Sequence, residues 1–245
     1  MEVHHHSHTP RRKWIHYFWE FLMLFLAVFC GFLAEYKLEQ TIERHREKEF
    51  ILSMIEDAAN DTANIHLIIP YNQERIKYAD SLATTAINYT GAQKENTMIY
   101  KFHRKCMFRP DLVYPTERTL SQLKNSGGMR LIRKKRASDA IIAYDQKGKM
   151  LVNQQAYYEM YLTEATKASL QTLNFLSLWG TNNNKIYNNY DSVQLITTDK
   201  IKLKELGNSV LIFGGVVQQY INRLYEMEKQ AVELIKTLKK EYHLN

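Results

Sequence analysis

The chain has 245 residues, with 33 basic and 26 acidic side chains and a formal net charge of +7. Its 9 glycines and 4 prolines are too few for a turn-dense β-sandwich, and a composition 45% hydrophobic and 24% charged excludes disorder over most of its length. Two cysteines exclude a disulfide-stapled scaffold and an all-cysteine zinc site.

Residues 1–13 form a short tail rich in His and Arg. Its His4, His5, His6 and His8 are the residues best suited to chelating a metal ion, since neutral imidazoles bind Zn²⁺, Ni²⁺ or Cu²⁺. A short tail lacks the rigid surroundings of a closed site, so the competing reading is a tail lying at a membrane interface. Residues 14–34, WIHYFWEFLMLFLAVFCGFLA, carry one formal charge, Glu20. As a helix this stretch covers roughly 30 Å, the thickness of a hydrocarbon core. Trp14, Tyr17, Phe18 and Trp19 crowd its start like an interfacial aromatic belt. No small-x-small cleavage pattern interrupts its passage into charged sequence, so it reads as an uncleaved, single-pass transmembrane helix. Arg11, Arg12 and Lys13 cluster tightly before it, whereas Lys37, Arg44, Arg46 and Lys48 are spread after it. The tail is therefore expected to be cytoplasmic and the main domain periplasmic.

At 100° per residue, Lys13, His16, Glu20, Ala27, Gly31 and Ala34 fall on one side of this helix. Ala27-xxx-Gly31 and Cys30-xxx-Ala34 are small-xxx-small pairs that let two helices approach closely. An ionisable residue in a span faces protein or water, which makes Glu20, Ala27, Gly31 and Ala34 a candidate helix-packing surface. The alternatives for Glu20 are snorkelling to the headgroups, pairing with His16, or carrying protons.

Residues 35–245 are expected to form one helical-bundle domain. Glu35, Glu39, Glu43 and Glu47 recur every four residues as an acidic stripe. Ile51, Ile55, Ala58, Thr62, Ile65 and Ile69 then follow a 4-3-4-3-4 rhythm, which Pro70 is expected to end or kink. Further helices are predicted over 71–89 (stopped by Thr90-Gly91), 97–108, a segment opening near Pro115-Thr116 and closed by Gly127-Gly128, and 137–179 with a weak break at Gly148. The Asn-rich residues 180–192 read as a long loop, and 193–197 as a short strand or packed segment. The closing helix is predicted over 208–242, with a seam through Val217, Ile221, Leu224, Glu228, Ala231, Ile235, Leu238 and Tyr242. The fold class is all-α: one N-terminal transmembrane helix continuing into an antiparallel bundle of long helices.

Three stretches, MEVHHHSH, EFLMLFLAVFCGFLAE (20–35) and TLSQLKNSGGMRLI (119–132), resemble a bacterial family of single-span membrane proteins, a domain of unknown function. The resemblance implies a bacterial cell envelope and a helical domain, and carries over no activity.

Arg130, Arg133, Lys134, Lys135 and Arg136 put five basic residues in seven, suited to anionic lipid, a polyanion, or docking on Glu35, Glu39, Glu43 and Glu47. No aromatic interleaving or nucleic-acid motif accompanies them, and no nucleic-acid partner is expected. Asp57 and Asp61 lie one turn apart without a visible third ligand. Tyr157, Tyr158 and Tyr161 are candidates for lining a cavity, and Cys106 for a buried thiol. GxSxG, HExxH, P-loop, GxGxxG and CxxC are all absent, so no enzyme activity and no cofactor are expected. The sequence predicts a membrane-anchored structural or accessory protein of the envelope. It acts through membrane lipid and a homo-oligomer or larger complex. The alternatives are a ligand-sensing bundle signalling through a partner, and lipid or polyanion binding by the basic run.

Overall fold

The computed structural model describes residues 11–108, 111–176, 181–182, 185–186, 190 and 193–244, the first three and the four hairpin residues by backbone alone. The chain divides into two units, Met1–Phe50 and Ile51–Asn245, and helix α1 (Arg11–Ile87) contributes to both. The fold is all-α. After α1 come α2 (Gln93–Met107), α3 (Arg118–Asn125), a 3₁₀ turn (Gly128–Leu131), α4 (Lys135–Leu170), and α5 (Lys200–Tyr242). The only strands described are two residues each, β1 (Thr181–Asn182) and β2 (Lys185–Ile186), paired as Thr181↔Ile186 and Asn182↔Lys185. This small hairpin lies inside the predicted Asn-rich loop.

In the first unit, the described residues form helix alone. Its apolar stretch is long enough to cross a membrane, and none of its most apolar window is buried. Phe21, Phe25 and Phe29 stack at successive turns, with centroids 6.3 and 5.8 Å apart.

In the second unit, α1 runs straight through Pro70, so the two helices expected there are one. Proline removes a helix hydrogen bond and crowds the carbonyl four residues back, at a cost of about 3 kcal/mol. Pro70 and His66 both lie on the exposed side of α1, where water reaches the freed carbonyl. The buried side continues without interruption through Ile65, Ile69, Asn72, Ala79, Ala83 and Ala86. Burial of that seam outweighs the local loss.

Three long helices make the bundle. Asp61 meets Tyr144 and Arg75 meets Tyr158, a constant separation of 83 residues, so α1 and α4 run in the same direction. Helix α5 is antiparallel to both. Against α4 its contacts run from Arg136–Glu241 to Lys147–Glu226 and Tyr158–Phe213. Against α1 they run from His66–Glu228 to Ala79–Gly214 and Ile87–Gly207. Gly207 makes a very close approach: a Cβ there would stand 2.5 Å from Ile87 Cγ1 and 3.1 Å from the Ala83 carbonyl oxygen. The predicted seam of α5 is buried at Val217, Ile221, Leu224, Ala231 and Leu238, while Ile235, Tyr242 and Glu228 are half-buried. Met227 and Leu234 complete the core.

Helix α5 starts eight residues before its predicted beginning. Asp199 caps it, its Oδ1 accepting from the Ile201 N–H at 2.8 Å, and Thr197 Oγ1 accepts from the Asp199 N–H at 3.1 Å. Helix α4 is uninterrupted at Gly148, whose Cα faces Pro115; a Cβ would meet the proline ring at an ordinary 3.5 Å. Gly127, predicted to close this helix, takes the left-handed conformation after α3, with φ +67°. Gly91, at φ +99°, follows the end of α1, where the Glu95 carboxylate accepts from the N–H groups of Thr90, Gly91 and Ala92.

Helix α2 closes the end of the bundle where α1 and α4 finish and α5 begins. Its buried side carries Asn96, Ile99, Tyr100, His103, Cys106 and Met107. Tyr100 stacks on Tyr190 at 6.2 Å and links two returning segments, accepting from Asn174 N at 2.7 Å and donating to the Gln194 carbonyl at 2.9 Å. Residues 193–197 pack there, with a single bridge between Leu173 and Leu195.

Candidate functional site

In the first unit, Glu20, Ala27, Gly31 and Ala34 are all exposed on α1, on the side away from the stacked phenylalanines. Nothing lies within 4 Å of the position a Gly31 Cβ would occupy. His16 Nε2 stands 3.2 Å from Glu20 Oε1, the pairing given above as an alternative to a helix contact for Glu20. His16, Trp19, Glu20, Met23, Leu24 and Ala27 line a shallow open depression on this side. Of the acidic stripe, Glu35 and Glu39 are exposed, Glu43 is half-buried and Glu47 is buried. Cys30 is an exposed free thiol. His4, His5, His6 and His8 lie outside the described residues, among which no group of three His, Cys, Asp or Glu is placed to hold a metal ion.

The basic run sits where α4 begins. Lys134 precedes its first turn, and Lys135 and Arg136 are in it. Lys134 Nζ lies 4.6 Å over the Tyr242 ring, and Arg136 is 3.8 Å from Glu241, both on the last turn of α5. Arg130 Nε donates to the Gly127 carbonyl at 3.5 Å, and Arg133 is exposed.

The second unit holds a feature that sequence reasoning missed. Residues 111–117 run extended back along the bundle, and their backbone is held by buried side chains of all three long helices. Asn72 Nδ2 donates to the Asp111 carbonyl at 3.0 Å. Tyr220 Oη accepts from the Val113 N–H at 2.8 Å, and Gln155 donates to the Val113 carbonyl. Asp61 accepts from the Thr116 N–H through both oxygens at 3.0 Å, from Thr116 Oγ1 at 2.7 Å, and from the Tyr144 hydroxyl. Asp57 Oδ2 accepts from the Thr119 N–H at 3.1 Å, in the first turn of α3, which has no side-chain cap of its own. Arg118 Nη2 stands 2.7 Å from Asp57 Oδ1 as an ion-pair contact outside hydrogen-bond geometry. Asp61 therefore anchors this segment and Asp57 the start of α3, rather than the two forming an open acidic pair.

Arg75, 4% exposed, completes the arrangement. Its Nη2 lies 2.7 Å from Asp111 Oδ2, and its Nη1 donates to the Tyr158 hydroxyl, which donates in turn to Asn72 Oδ1 at 3.3 Å. Tyr158 is fully buried edge-on to Phe213 and Tyr220, whereas Tyr157 is exposed and Tyr161 half-buried, so the three tyrosines do not gather around a cavity. Burial raises the pKa values of Tyr144 and Tyr158, and both remain phenols. A cleft of about 120 Å³ beside Pro115, Tyr144, Gly148 and Met227 is well below the several hundred cubic ångströms typical of small-molecule sites.

His103 is buried edge-on to Phe175 at 5.6 Å, and its Nε2 has no hydrogen-bond partner. Burial pushes its pKa down to about 4 from an ordinary 6.5. Above pH 6.5 the imidazole is neutral in both folded and unfolded chains. Between 6.5 and 4 only the unfolded chain takes up the proton, so stability falls as pH drops through this window. The full loss is about 3 kcal/mol. Thermal melts from about pH 7 to 4 should show a steeper decline for the native chain than for His103→Leu; identical slopes would exclude the assignment. Cys106, on the same side of α2, is a buried free thiol whose pKa burial pushes up to about 12.

The sequence matches no family model, and neither curated proteins nor solved structures yield a match to it.

Proposed function

We propose that the chain is a non-enzymatic, single-pass protein of the bacterial inner membrane. Its tail is cytoplasmic and its helical unit periplasmic, and it works through contacts of its span with a second copy or a larger envelope complex. The bacterial assignment rests on the likeness of residues 20–35 and 119–132 to single-span envelope proteins. The orientation rests on the tight cluster Arg11, Arg12 and Lys13 before the span.

One observation carries the reading. The only formal charge within residues 14–34, paired with His16, shares a side of the helix with Ala27, Gly31 and Ala34, opposite the stacked Phe21, Phe25 and Phe29. Turned to lipid, Glu20 would carry a desolvation cost, which reaches about 2.5–3.5 kcal/mol for a charge at the centre of a span; turned to a partner helix, it is sheltered by protein and the small residues permit close backbone approach. The aromatic ladder then faces lipid. Mass photometry of the protein extracted in mild detergent should show a defined oligomer or a stoichiometric partner, lost on Gly31→Leu. A monomer without a partner, or an assembly that Gly31→Leu leaves intact, would overturn the proposal.

A further inference from the structure

The second unit has one end at which two distant basic stretches meet. The first residues of α4 pack against the last of α5, through Lys134 over Tyr242 and Arg136 beside Glu241. Residues 130–140 and 233–243 together contain eight Lys and Arg and three acids, Asp139, Glu233 and Glu241. Arg130, Arg133, Lys135, Arg136, Lys236 and Lys240 are exposed. Five of the basic residues form a run in the sequence; the fold adds Lys236, Lys239 and Lys240 from about a hundred positions further along the chain.

This is also the end at which the chain enters the unit, because the constant 83-residue separation between α1 and α4 sets Ile51 level with Lys134. Sixteen residues, 35–50, all helical, separate the apolar stretch from Ile51, a rise of roughly 24 Å along α1.

We propose that this end of the bundle binds the anionic headgroups of the bilayer that holds the chain's own span, with Arg130, Arg133, Lys135 and Arg136 from one stretch and Lys236 and Lys240 from the other as the contacting cations. Lys134, just before α4, and Lys239, near the end of α5, add charge from half-buried positions. Each Lys or Arg brought to an anionic surface adds its own increment of attraction, and that attraction is screened beyond about 10 Å at 0.1 M salt. A convergent patch therefore binds such a surface where one isolated stretch would bind it weakly.

The proposal rests on the anchored reading above, and the test separates the two. Full-length protein is placed in nanodiscs of phosphatidylcholine alone, or with about one third phosphatidylglycerol, and limited trypsin cleavage is followed at two places. One is the 130–136 run. The other is Lys200, Lys202 and Lys204, which begin α5 at the opposite end of a unit roughly 50 Å long. Failure to enter either disc would sink the anchor. Given entry, cleavage at 130–136 should be at least about fivefold slower in anionic discs, with the difference lost in about 0.5 M salt and no change at Lys200, Lys202 and Lys204. Lys239→Glu with Lys240→Glu, which leaves the 130–136 sites intact, should remove the protection; Lys236→Gln with Lys240→Gln serves the same purpose if the first pair fails to fold. Equal rates in both discs, or equal protection at both ends, would overturn the proposal.

Discussion

Asp61→Ala is expected to destabilise the helical unit by about 3–5 kcal/mol, because it removes a buried carboxylate on which three donors converge, one of them the buried Tyr144 hydroxyl. The Thr116 N–H, the Thr116 hydroxyl and the Tyr144 hydroxyl all converge on this carboxylate, which is 1% exposed. Without it, Thr116 loses its attachment to α1 and the Tyr144 hydroxyl on α4 loses its acceptor. For a unit of this size the fall in Tm is about 2–4 °C per kcal/mol, hence on the order of 10 °C in a circular-dichroism melt. Asp61→Asn keeps the shape and one acceptor oxygen, and should cost less than the alanine. A loss below about 1 kcal/mol for Asp61→Ala would show that the carboxylate does not anchor the segment.

Arg75→Ala is expected to cost a similar amount, about 3–5 kcal/mol, for a different reason. The guanidinium bridges Asp111 on the extended segment and the Tyr158 hydroxyl on α4, with its Cζ 5.9 Å from the Tyr158 ring centroid, and the buried side chain fills core volume. Arg75→Met restores most of the volume without the charge. Asp111, 27% exposed, then turns to water, so the methionine variant should lose roughly half as much as the alanine. Urea unfolding of both variants checks this. If each lies within about 1 kcal/mol of the native chain, the bridge contributes nothing to stability.

The all-α class, the apolar stretch, the turn at Gly127 and most of the long-helix seams were legible in the sequence because each is a local pattern. The continuity of α1 was also written there, though outweighed by Pro70. Positions 51, 55, 58, 62, 65, 69, 72, 76, 79, 83 and 86 keep one 4-3 rhythm across the proline, and Asn72 occupies a core position in it. A polar residue on a buried seam was the available sign of a buried polar contact. The extended segment itself gave no such sign. Residues 111–117 have no periodicity and read as connection; what buries them is Asn72, 39 residues before Asp111, and Tyr220, 107 residues after Val113. Likewise the second half of the basic end is invisible until the antiparallel packing of α4 and α5 brings 236–240 beside 134–136.

The extended segment also bears on how the unit reaches its native state. Helical bundles usually fold fast because their contacts join near neighbours in the chain, whereas distant pairings require loop closure before any stabilisation is gained. Here the segment is held by partners 36, 39, 42, 55 and 107 residues away. Its backbone groups are held only once α1, α4 and α5 have come together around it. The unit thus combines helical content that forms early with a closing step whose chain topology is that of a β-protein, and its refolding is correspondingly slower than that of an up-and-down bundle of equal length.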